Sequence, residues 1–532
     1  MEKVIITAAL PYANGELHLG HIKSTYLPAD IFTRFLKFKG KRAIYLCAND
    51  EHGTPIMLKA EDESIKPEEY ILKWRESHLL DLNFLLIDFD QFYATHSPEH
   101  IKLTQELYTK LKDAGYISRG KVKQYWDSKD GKPLPDRYVI GECPYCGAKE
   151  QYGDQCEKCG KVFVGGELVN PVAKRTKNPA EVREGEHVFF ELSKFSKKLE
   201  NFVKEVEAPS DVKNFVLGWV KEGLSDWDIE RDIPWGVKVP DSSGVFYVWF
   251  DAPIGYYSTL KKWCNENNED FDEWWSDSKI THFIGKDIAY HHFLFWPAVL
   301  MGSKLNTPSS IPVRGHLTLE GKKFSKSRNW YISIKDWKRQ NLDPEYLRFY
   351  MTFTTPLGTR DSDFSATEFQ KTVNEELVNN FGNLLQRLLK FSEKFGLKVD
   401  EKSGEEFEKT KKAFLEYEKL MERGELSKAL KVFSDRTHEL NAYFQEKEPW
   451  KHSDIAPKVI SEIANSLKLL NSMLHPFLPE KTKKVAKLLN VKLKFDDSAL
   501  EVGHSLNEAE ILFPKVDEGI SERLKAIYSQ NA

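Results

Sequence analysis

The chain has 532 residues, of which 41% are hydrophobic and 13% aromatic, and its formal net charge at pH 7 is −4. This length exceeds what one hydrophobic core usually supports, so we expect two to four globular domains. The net charge excludes a surface that is basic throughout and binds nucleic acid, so any RNA contact must come from a local basic patch. No apolar run approaches the length of a membrane span and the first residues lack a signal-peptide pattern, which predicts a cytoplasmic protein without membrane contact.

Residues 1–114 alternate strand-like and helix-like stretches, and their first loop is the most informative part. The apolar residues 4–7 lead into the loop 11–21 and then into a helix-like stretch, 22–39. This βαβ pattern predicts the first half of a doubly wound parallel sheet in a Rossmann-type nucleotide-binding domain, within an α/β fold. The helix start directs N–H groups and the positive end of the helix dipole at the loop, which favours an anion such as a triphosphate.

Three residues of this loop are candidate anion contacts. His18 and His21 lie on one face of a first helical turn and can both donate to phosphate oxygens. Gly20 lets a flat base approach the backbone. The alternative is a pair of surface histidines beside a turn glycine.

A second candidate site follows the next predicted strand, residues 43–47. Ligand-binding residues of parallel sheets gather at the carboxyl ends of the strands, where the segment 47–55 is expected. Asp50 in that segment can hold an ammonium group, although an N-cap or turn aspartate is an equally good interpretation of the local sequence.

Residues 115–231 have short turns, many charges and a cysteine cluster, which predicts an inserted domain. Two C-x-x-C knuckles, each followed by a glycine, contain Cys143 and Cys146 and then Cys156 and Cys159. Four sulfurs at this spacing match a tetrahedral structural zinc site with no open position for water. A redox pair and unligated thiols are the alternatives.

Residues 232–322 return to sheet-like sequence and are predicted to complete the nucleotide-binding domain. We expect strands at 244–250 and 280–284 and an apolar helix at 288–300. Asp287, at the end of a predicted strand, is a carboxylate of the kind that accepts ribose hydroxyls. The other side chains of interest in this segment, which are equally compatible with an ordinary core, are Trp249, Tyr256, Ile288 and His292.

Residues 323–365 begin with a basic loop that contains Lys323, Ser325, Lys326 and Ser327, and Asp343 before Pro344 predicts a helix start. Residues 366–532 carry apolar side chains at helical spacing and are predicted to form an all-α bundle with a charged tail. Asn383, Arg387 and Trp450 in this bundle are groups that can read and stack single-stranded bases, or else a solvated helix face and a buried tryptophan.

The pair His18-Leu19-Gly20-His21 and Lys323-Phe324-Ser325-Lys326-Ser327 resembles the H-I-G-H and K-M-S-K-S signatures of class I aminoacyl-tRNA synthetases. Two packing positions differ, with Leu for Ile and Phe for Met. Together with residues 47–55, 248–256, 283–287 and 295–297, the order of motifs resembles the methionyl-tRNA synthetases over nearly the whole chain, to about Phe513.

The resemblance implies that methionine is activated by Mg·ATP to methionyl adenylate, with release of pyrophosphate, and is then transferred to tRNA with release of AMP. It implies catalytic roles for His18, His21 and Lys326. It implies nucleotide contacts from Gly20, Lys286, Asp287, Lys323, Ser325, Lys326 and Ser327. It implies methionine contacts from Ala9, Leu10, Asp50, Trp249, Ala252, Pro253, Tyr256, Ile288 and His292. It implies reading of the anticodon by Asn383, Arg387 and Trp450.

The expected cofactors are one structural zinc and the magnesium of ATP, and the expected partners are ATP, L-methionine and the initiator and elongator methionine tRNAs. The absence of an appended C-terminal domain suggests a monomer. Other class I synthetases or nucleotidyltransferases would share both signatures, and a non-catalytic tRNA-binding zinc module is a further alternative. The branched-chain synthetases carry much larger insertions, and the cysteine enzymes place zinc in the amino-acid pocket.

Overall fold

The structure is a computed structural model that describes residues 2–131, 133–153, 156, 158–159, 161, 163, 166–324 and 330–529. Among these residues no helix combines the length and the apolar content that crossing a membrane requires. The described chain consists of an α/β layer, an inserted region of antiparallel strands and a helical region toward the C-terminus. This arrangement confirms the predicted fold class.

A five-stranded parallel sheet, here called the central sheet, organises the α/β layer. Its first strand in the chain lies in the middle and later strands are added on both sides, which is the predicted doubly wound topology. In spatial order the strands are Val313–Arg314, Lys279–Gly285, Lys3–Ala8, Arg42–Asn49 and Gln91–Ala94. The main helices of this layer are Leu27–Phe38, Thr54–Asp62, Pro67–Phe84, Pro98–Asp113, Ile254–Asn267, Phe271–Asp277 and Trp296–Gly302.

The helix that begins after the first loop is continuous but changes pitch. A short α-helical turn, Leu19–His21, passes into a π-helical turn, Ile22–Tyr26, before the α-helix Leu27–Phe38. π-helical turns inside helices are often found at functional sites. Here the π-helical turn follows the two histidines of the first signature directly.

The prediction of a central-sheet strand at residues 244–250 is wrong. Within this segment only Val245–Phe246 forms a strand, and it pairs with Glu230–Arg231 in a separate antiparallel pair. Val248–Asp251 is a helical turn. A short apolar run does not distinguish a buried strand from a buried helical turn, and the central sheet is completed instead by Lys279–Gly285 and Val313–Arg314.

The inserted region is built on a long antiparallel pair, Ile117–Asp127 with Ala180–Phe190, which stays in register over its full length. A second small sheet contains Val139–Glu142, and the helices Ser196–Glu205 and Ser210–Glu222 follow. The remaining strands of the region are Pro133–Leu134, Gln151–Tyr152, Val169–Ala173 and Trp227–Asp228.

The C-terminal region is helical, as its apolar spacing predicted. The predicted helix start at Asp343 is confirmed, because its side chain accepts a hydrogen bond from the Glu345 N–H at 2.9 Å. Before it, the short strand Leu317–Leu319 pairs antiparallel with Lys322–Lys323 on one side and parallel with Ser362–Phe364 on the other. The helices are Ile334–Arg339, Pro344–Phe353, Ala366–Thr372, Val373–Gly382, Asn383–Ser392, Glu405–Glu422, Leu426–Lys447, Ala456–Leu474, Pro479–Leu488 and Ile520–Ser529.

The bundle is joined to the α/β layer by a shared core and by one buried arginine. Buried side chains continue from Ile6 in the central sheet to Phe433 in the bundle. At the junction, the guanidinium of Arg348 donates to Asp30 Oδ2 at 2.7 Å and to the Phe477 carbonyl at 2.8 Å. Because removing one partner of a buried ion pair is costly, these bonds hold the bundle in a fixed position against the sheet layer.

Candidate active site

A cavity of about 460 Å³ lies at the carboxyl ends of the central strands and brings most of the predicted site residues together. Its position follows from the topology, because ligands of doubly wound sheets bind where the strand order reverses. The predicted residues that line it are Ala9, Leu10, His18, Gly20, His21, Asp50, Trp249, Ala252, Pro253, Tyr256, Asp287, Ile288, His292 and Lys323.

Asp50 is held at the cavity by the pairing of two loops. The Asp50 N–H donates to the Pro11 carbonyl at 2.9 Å, and the Ala13 N–H donates to the Asp50 carbonyl at 2.9 Å. The Tyr12 hydroxyl donates to the His52 carbonyl at 2.9 Å. The loops that follow two adjacent strands are thereby fastened side by side, and the Asp50 carboxylate is fixed in the cavity wall.

The electrostatic state of Asp50 is unfavourable without a cationic partner. Burial raises the pKa of Asp50 well above its usual range, and the nearby Asp251 carboxylate raises it further, against one opposing backbone hydrogen bond from His52. Its Oδ1 is buried and has no hydrogen-bond partner among the described residues. A buried carboxylate in this state is expected to attract a ligand ammonium group, since unpaired buried charge is costly.

The part of the cavity wall that contains Trp249, Tyr256 and His292 is neutral and aromatic. His292 Nδ1 bonds to the Ile288 carbonyl at 3.1 Å and therefore carries the hydrogen, so His292 Nε2 accepts from the Tyr256 hydroxyl at 2.8 Å. Burial lowers the pKa of His292 to about 4, which keeps the ring uncharged near pH 7. The Tyr256 ring stacks on His282 at 4.6 Å, and the Trp249 ring stacks on His291 at 3.7 Å.

His18 and His21 form a stacked pair at the start of the helix. Their ring centroids are 3.7 Å apart, and the backbone N–H of His18 donates to His21 Nδ1 at 3.1 Å. His21 Nδ1 is therefore an acceptor, and the hydrogen of a neutral His21 ring lies on Nε2. A Cβ at Gly20 would lie 3.1 Å from the His18 ring, so a larger residue would require that ring to shift by a few tenths of an ångström.

The structure places some of the predicted nucleotide contacts at the cavity and others away from it. Asp287 lines the cavity, and the His316 Nε2 is 3.7 Å from its Oδ1. Lys286 is not among the lining residues, because its ammonium group binds Asp361 Oδ1 at 2.6 Å. Lys323 lines the cavity, and Phe324 lies 5.0 Å from the His18 ring. The predicted contacts Ser325, Lys326 and Ser327 fall outside the described residues.

Several lining residues had no assigned role at the level of sequence: Pro11, Tyr12, Asn14, Gly15, Leu17, Ser24, Thr25, Tyr26, Gly285, His316, Leu317 and Phe324. Thr25 was detectable, because it is four residues after His21 and lies on the same helix face. His316 had no local signal, since its place depends on the pairing of distant strands.

The four knuckle cysteines come together in the inserted region. Their sulfurs all lie within 4.8 Å of one another, with Cys143 to Cys159 at 3.9 Å and Cys146 to Cys156 at 3.6 Å. A tetrahedral Zn–S₄ centre with bonds of about 2.3 Å requires sulfur separations of about 3.8 Å. The donor set therefore fits a four-coordinate metal ion.

The three bundle residues predicted to contact tRNA share one surface. Asn383 is exposed and lies one helical turn before Arg387. The Arg387 guanidinium lies over the rings of Phe444 and Trp450, at 4.7 and 5.7 Å from their centroids. Trp450 is 42% exposed, so it is not the buried core tryptophan that the sequence also allowed.

Comparison with known proteins gives a consistent result over the whole chain. A family model described as tRNA synthetases class I (M) matches residues 4–389, and a model of the anticodon binding domain of methionyl tRNA ligase matches residues 396–531. The methionine–tRNA ligase of Methanopyrus kandleri is 42% identical, over 100% of this chain and 83% of that protein. That of Methanocaldococcus jannaschii is 40% identical, over 99% of this chain and 81% of that protein.

Among solved structures, the fold is similar to that of a Mycobacterium tuberculosis methionyl-tRNA synthetase in complex with methionyl-adenylate. The TM-score is 0.80 at 23% sequence identity, covering 97% of this chain and 100% of that chain. At this identity the likeness concerns the fold.

Proposed function

Since the chain belongs to the family of class I methionyl-tRNA synthetases, as its motifs predicted, we propose that its central-sheet cavity carries out methionine activation. The methionine carboxylate attacks the α-phosphorus of ATP, and the bond to pyrophosphate breaks. A ribose hydroxyl of the tRNA terminal adenosine then attacks the methionyl carbonyl, and AMP leaves. The observation that carries this assignment is the buried, unpartnered carboxylate oxygen of Asp50 beside a neutral aromatic pocket and a histidine pair.

Asp50 pairs with the methionine ammonium group, and the neutral part of the cavity holds the side chain. A thioether is soft and polarisable and packs well against aromatic rings, which Trp249 and Tyr256 supply. The Tyr256 hydroxyl hydrogen is directed to His292, and both rings are uncharged. This part of the cavity therefore contains no group that would stabilise a charged side chain. Ala9, Leu10, Ala252, Pro253 and Ile288 complete the enclosure.

The phosphates lie over the start of the continuous helix 19–38, here called the signature helix. His18 and His21, with Lys326 of the second signature, stabilise the charge that develops as pyrophosphate leaves. Magnesium, bound with ATP, neutralises part of the phosphate charge. The nucleotide contacts are Gly20, Lys286, Asp287, Lys323, Ser325 and Ser327, of which Lys286 must first leave Asp361.

A larger cavity of about 1270 Å³ offers a route for the tRNA end. It extends along the inserted region, past Gln124 and Phe189, and shares Asp50 and Trp249 with the methionine cavity. A single-stranded 3′ end in this space reaches the adenylate without displacing the methionine site. In this proposal the methionine is activated by residues 1–114 and 232–322, and the acceptor end of the tRNA is guided by residues 115–231. The signature loop is part of residues 323–365, and the anticodon is bound by residues 366–532.

The four-cysteine site holds a structural zinc. Cys156→Ser removes one of four thiolates, so we expect a zinc content below one per chain and a lower melting temperature, since metal binding contributes to folding. Metal analysis and thermal melting measure both. Cys264→Ala, which changes a buried cysteine outside the cluster, should keep full zinc content. Full zinc content and unchanged melting in Cys156→Ser would refute the four-cysteine site.

The bundle surface of Asn383, Arg387 and Trp450 reads the anticodon. If the indole stacks on a base, Trp450→Ala should lower kcat/KM for tRNA about 5- to 150-fold, corresponding to roughly 1 to 3 kcal/mol. ATP–pyrophosphate exchange and melting should stay near wild type, because Trp450 is partly exposed. Leu415→Ala, at a 51% exposed position of the bundle helix Glu405–Glu422, serves as the control. Unchanged charging, or a joint loss of charging and folding, would rule out the anticodon role.

The overall reaction is tested by charging. We propose that the protein is a cytoplasmic monomer that acts on both the initiator and the elongator methionine tRNAs. It should therefore esterify both tRNAs with methionine in the presence of Mg·ATP. A transcript with a changed anticodon should be charged poorly. Equal charging with leucine or cysteine would identify a different member of the class I enzymes.

A further inference from the structure

A lysine outside both signatures is buried against the nucleotide end of the cavity. Lys23 lies in the π-helical turn directly after His21 and is only 1% exposed. Its ammonium group donates to the Gly315 carbonyl at 2.7 Å and to the His316 carbonyl at 3.1 Å. The neighbouring Ser24 hydroxyl donates to the same Gly315 carbonyl at 3.3 Å. The signature helix is thus bonded to a segment almost 300 residues away.

Burying this amine is unfavourable in itself. Burial, together with the nearby Arg314 guanidinium, lowers the pKa of Lys23 to about 7, although Asp361 opposes the shift. A neutral apolar side chain of similar length would avoid this cost of desolvation. The two carbonyl contacts are therefore what distinguishes lysine from an apolar residue at this position.

The segment that Lys23 holds is fixed from its other side as well. A Cβ at Gly315 would lie 2.2 Å from the Arg360 carbonyl oxygen, so the two backbones are in direct contact. The His316 N–H donates to Asp361 Oδ1 at 2.7 Å. Residues 315–316 are consequently clamped between the signature helix and the segment 360–361.

The clamped segment forms the wall of the cavity at its nucleotide end. The His316 side chain lines the cavity beside Asp287, the proposed ribose-binding carboxylate. We propose that Lys23 is a positioning residue for ATP, which acts through the Gly315 and His316 carbonyls to fix the wall against which the nucleoside packs. This inference rests on the proposed function, which places ATP in this cavity.

The test compares ATP and methionine parameters in Lys23→Met, a variant of similar length without hydrogen-bond donors. We expect the Kd for a non-hydrolysable ATP analogue and the KM for ATP to rise about tenfold, since a misplaced wall weakens the fit. The KM for methionine and kcat at saturating ATP should stay within about twofold of wild type. A general loss of folding would change all of these together.

Lys468→Met is the matched control. Lys468 is also a buried lysine, donating to the Ser498 carbonyl at 2.7 Å, but it lies in the bundle. This variant should lose stability without any change in the affinity for ATP. Equal effects of Lys23→Met and Lys468→Met on ATP binding would overturn the positioning role.

The double variant Lys286→Met/Asp361→Ala, measured against Lys286→Met alone, provides the second test, because Asp361 holds the same segment from its more exposed side but also binds Lys286, a proposed nucleotide contact. Loss of Asp361 in that background should raise the Kd for the ATP analogue further. An unchanged Kd in folded Lys23→Met overturns the proposal, and if that variant does not fold, an equal Kd in the double variant and in Lys286→Met overturns it. If wild type binds the analogue but shows no methionine-dependent exchange, the proposed function fails while this test still applies. Absence of analogue binding in wild type overturns both.

Discussion

Asp50→Asn is expected to lower kcat/KM for methionine by on the order of 10²-fold, because truncating one partner of a buried charge pair costs roughly 2 to 5 kcal/mol. The asparagine keeps the size and shape of the side chain but cannot neutralise the substrate ammonium. Affinity for ATP should stay near wild type. Exchange assays at varied methionine and varied ATP separate the two effects.

The same substitution is expected to raise the melting temperature of the free protein. The folded-state pKa of Asp50 lies above its unfolded value, so the native state binds the proton more tightly and its stability falls as pH rises through that interval. Neutral pH lies above the unfolded-state pKa of an aspartate, so the buried carboxyl group lowers the stability of the native state there, and the amide removes that cost. Lost activity with gained stability distinguishes a ligand-binding carboxylate from a turn-stabilising one, whose loss would lower the melting temperature.

Asp81→Asn is the matched control for Asp50. Asp81 is also buried, and burial raises its pKa to about 6, but it does not line the methionine cavity. Its replacement should stabilise the protein without changing methionine use.

In wild type, kcat/KM for methionine should fall as pH decreases through the raised pKa of Asp50, and this limb of the pH profile should be missing in Asp50→Asn.

His21→Ala is expected to lower kcat for adenylate formation by on the order of 10²- to 10³-fold, as removal of a positioned donor to developing charge does in other enzymes. His21 Nδ1 accepts a hydrogen bond from the backbone N–H of His18, which leaves Nε2–H as the donor of the neutral His21 ring. The Kd for methionine should change little. Rapid-quench measurement of adenylate formation tests this.

The control for this variant is His452→Ala, at an exposed histidine of the bundle, which should form adenylate at the wild-type rate. If His21→Ala also forms adenylate normally, the histidine pair serves only the packing of the helix start. Loss of methionine binding in proportion to the loss of rate would point instead to a collapsed cavity.

Sequence alone was sufficient for those parts of the site that are encoded locally. Asp50 directly follows the strand Arg42–Asn49, and His18 and His21 begin the helix after the first strand and its loop, so the sheet topology and the helix start place all three at one edge. The four cysteines were equally predictable, because their ligand spacing lies within two short turns.

The parts that sequence could not supply depend on contacts between distant segments. Residues 248–251 form a helical turn instead of a strand because a short apolar run has no preferred state without its neighbours. Lys23 and His316 acquire their positions from a contact across almost 300 residues. The ion pair of Lys286 with Asp361, which keeps Lys286 away from the cavity, likewise has no signal in the local sequence.

The most direct test of the account is ATP–pyrophosphate exchange by the wild-type protein in the absence of tRNA, with methionine, leucine and cysteine compared. We expect exchange that depends on methionine, with leucine and cysteine at least about tenfold less effective, since the neutral aromatic pocket beside Asp50 fits a thioether. Absence of exchange, or exchange supported equally by leucine or cysteine, would contradict the assignment of this cavity to methionine activation.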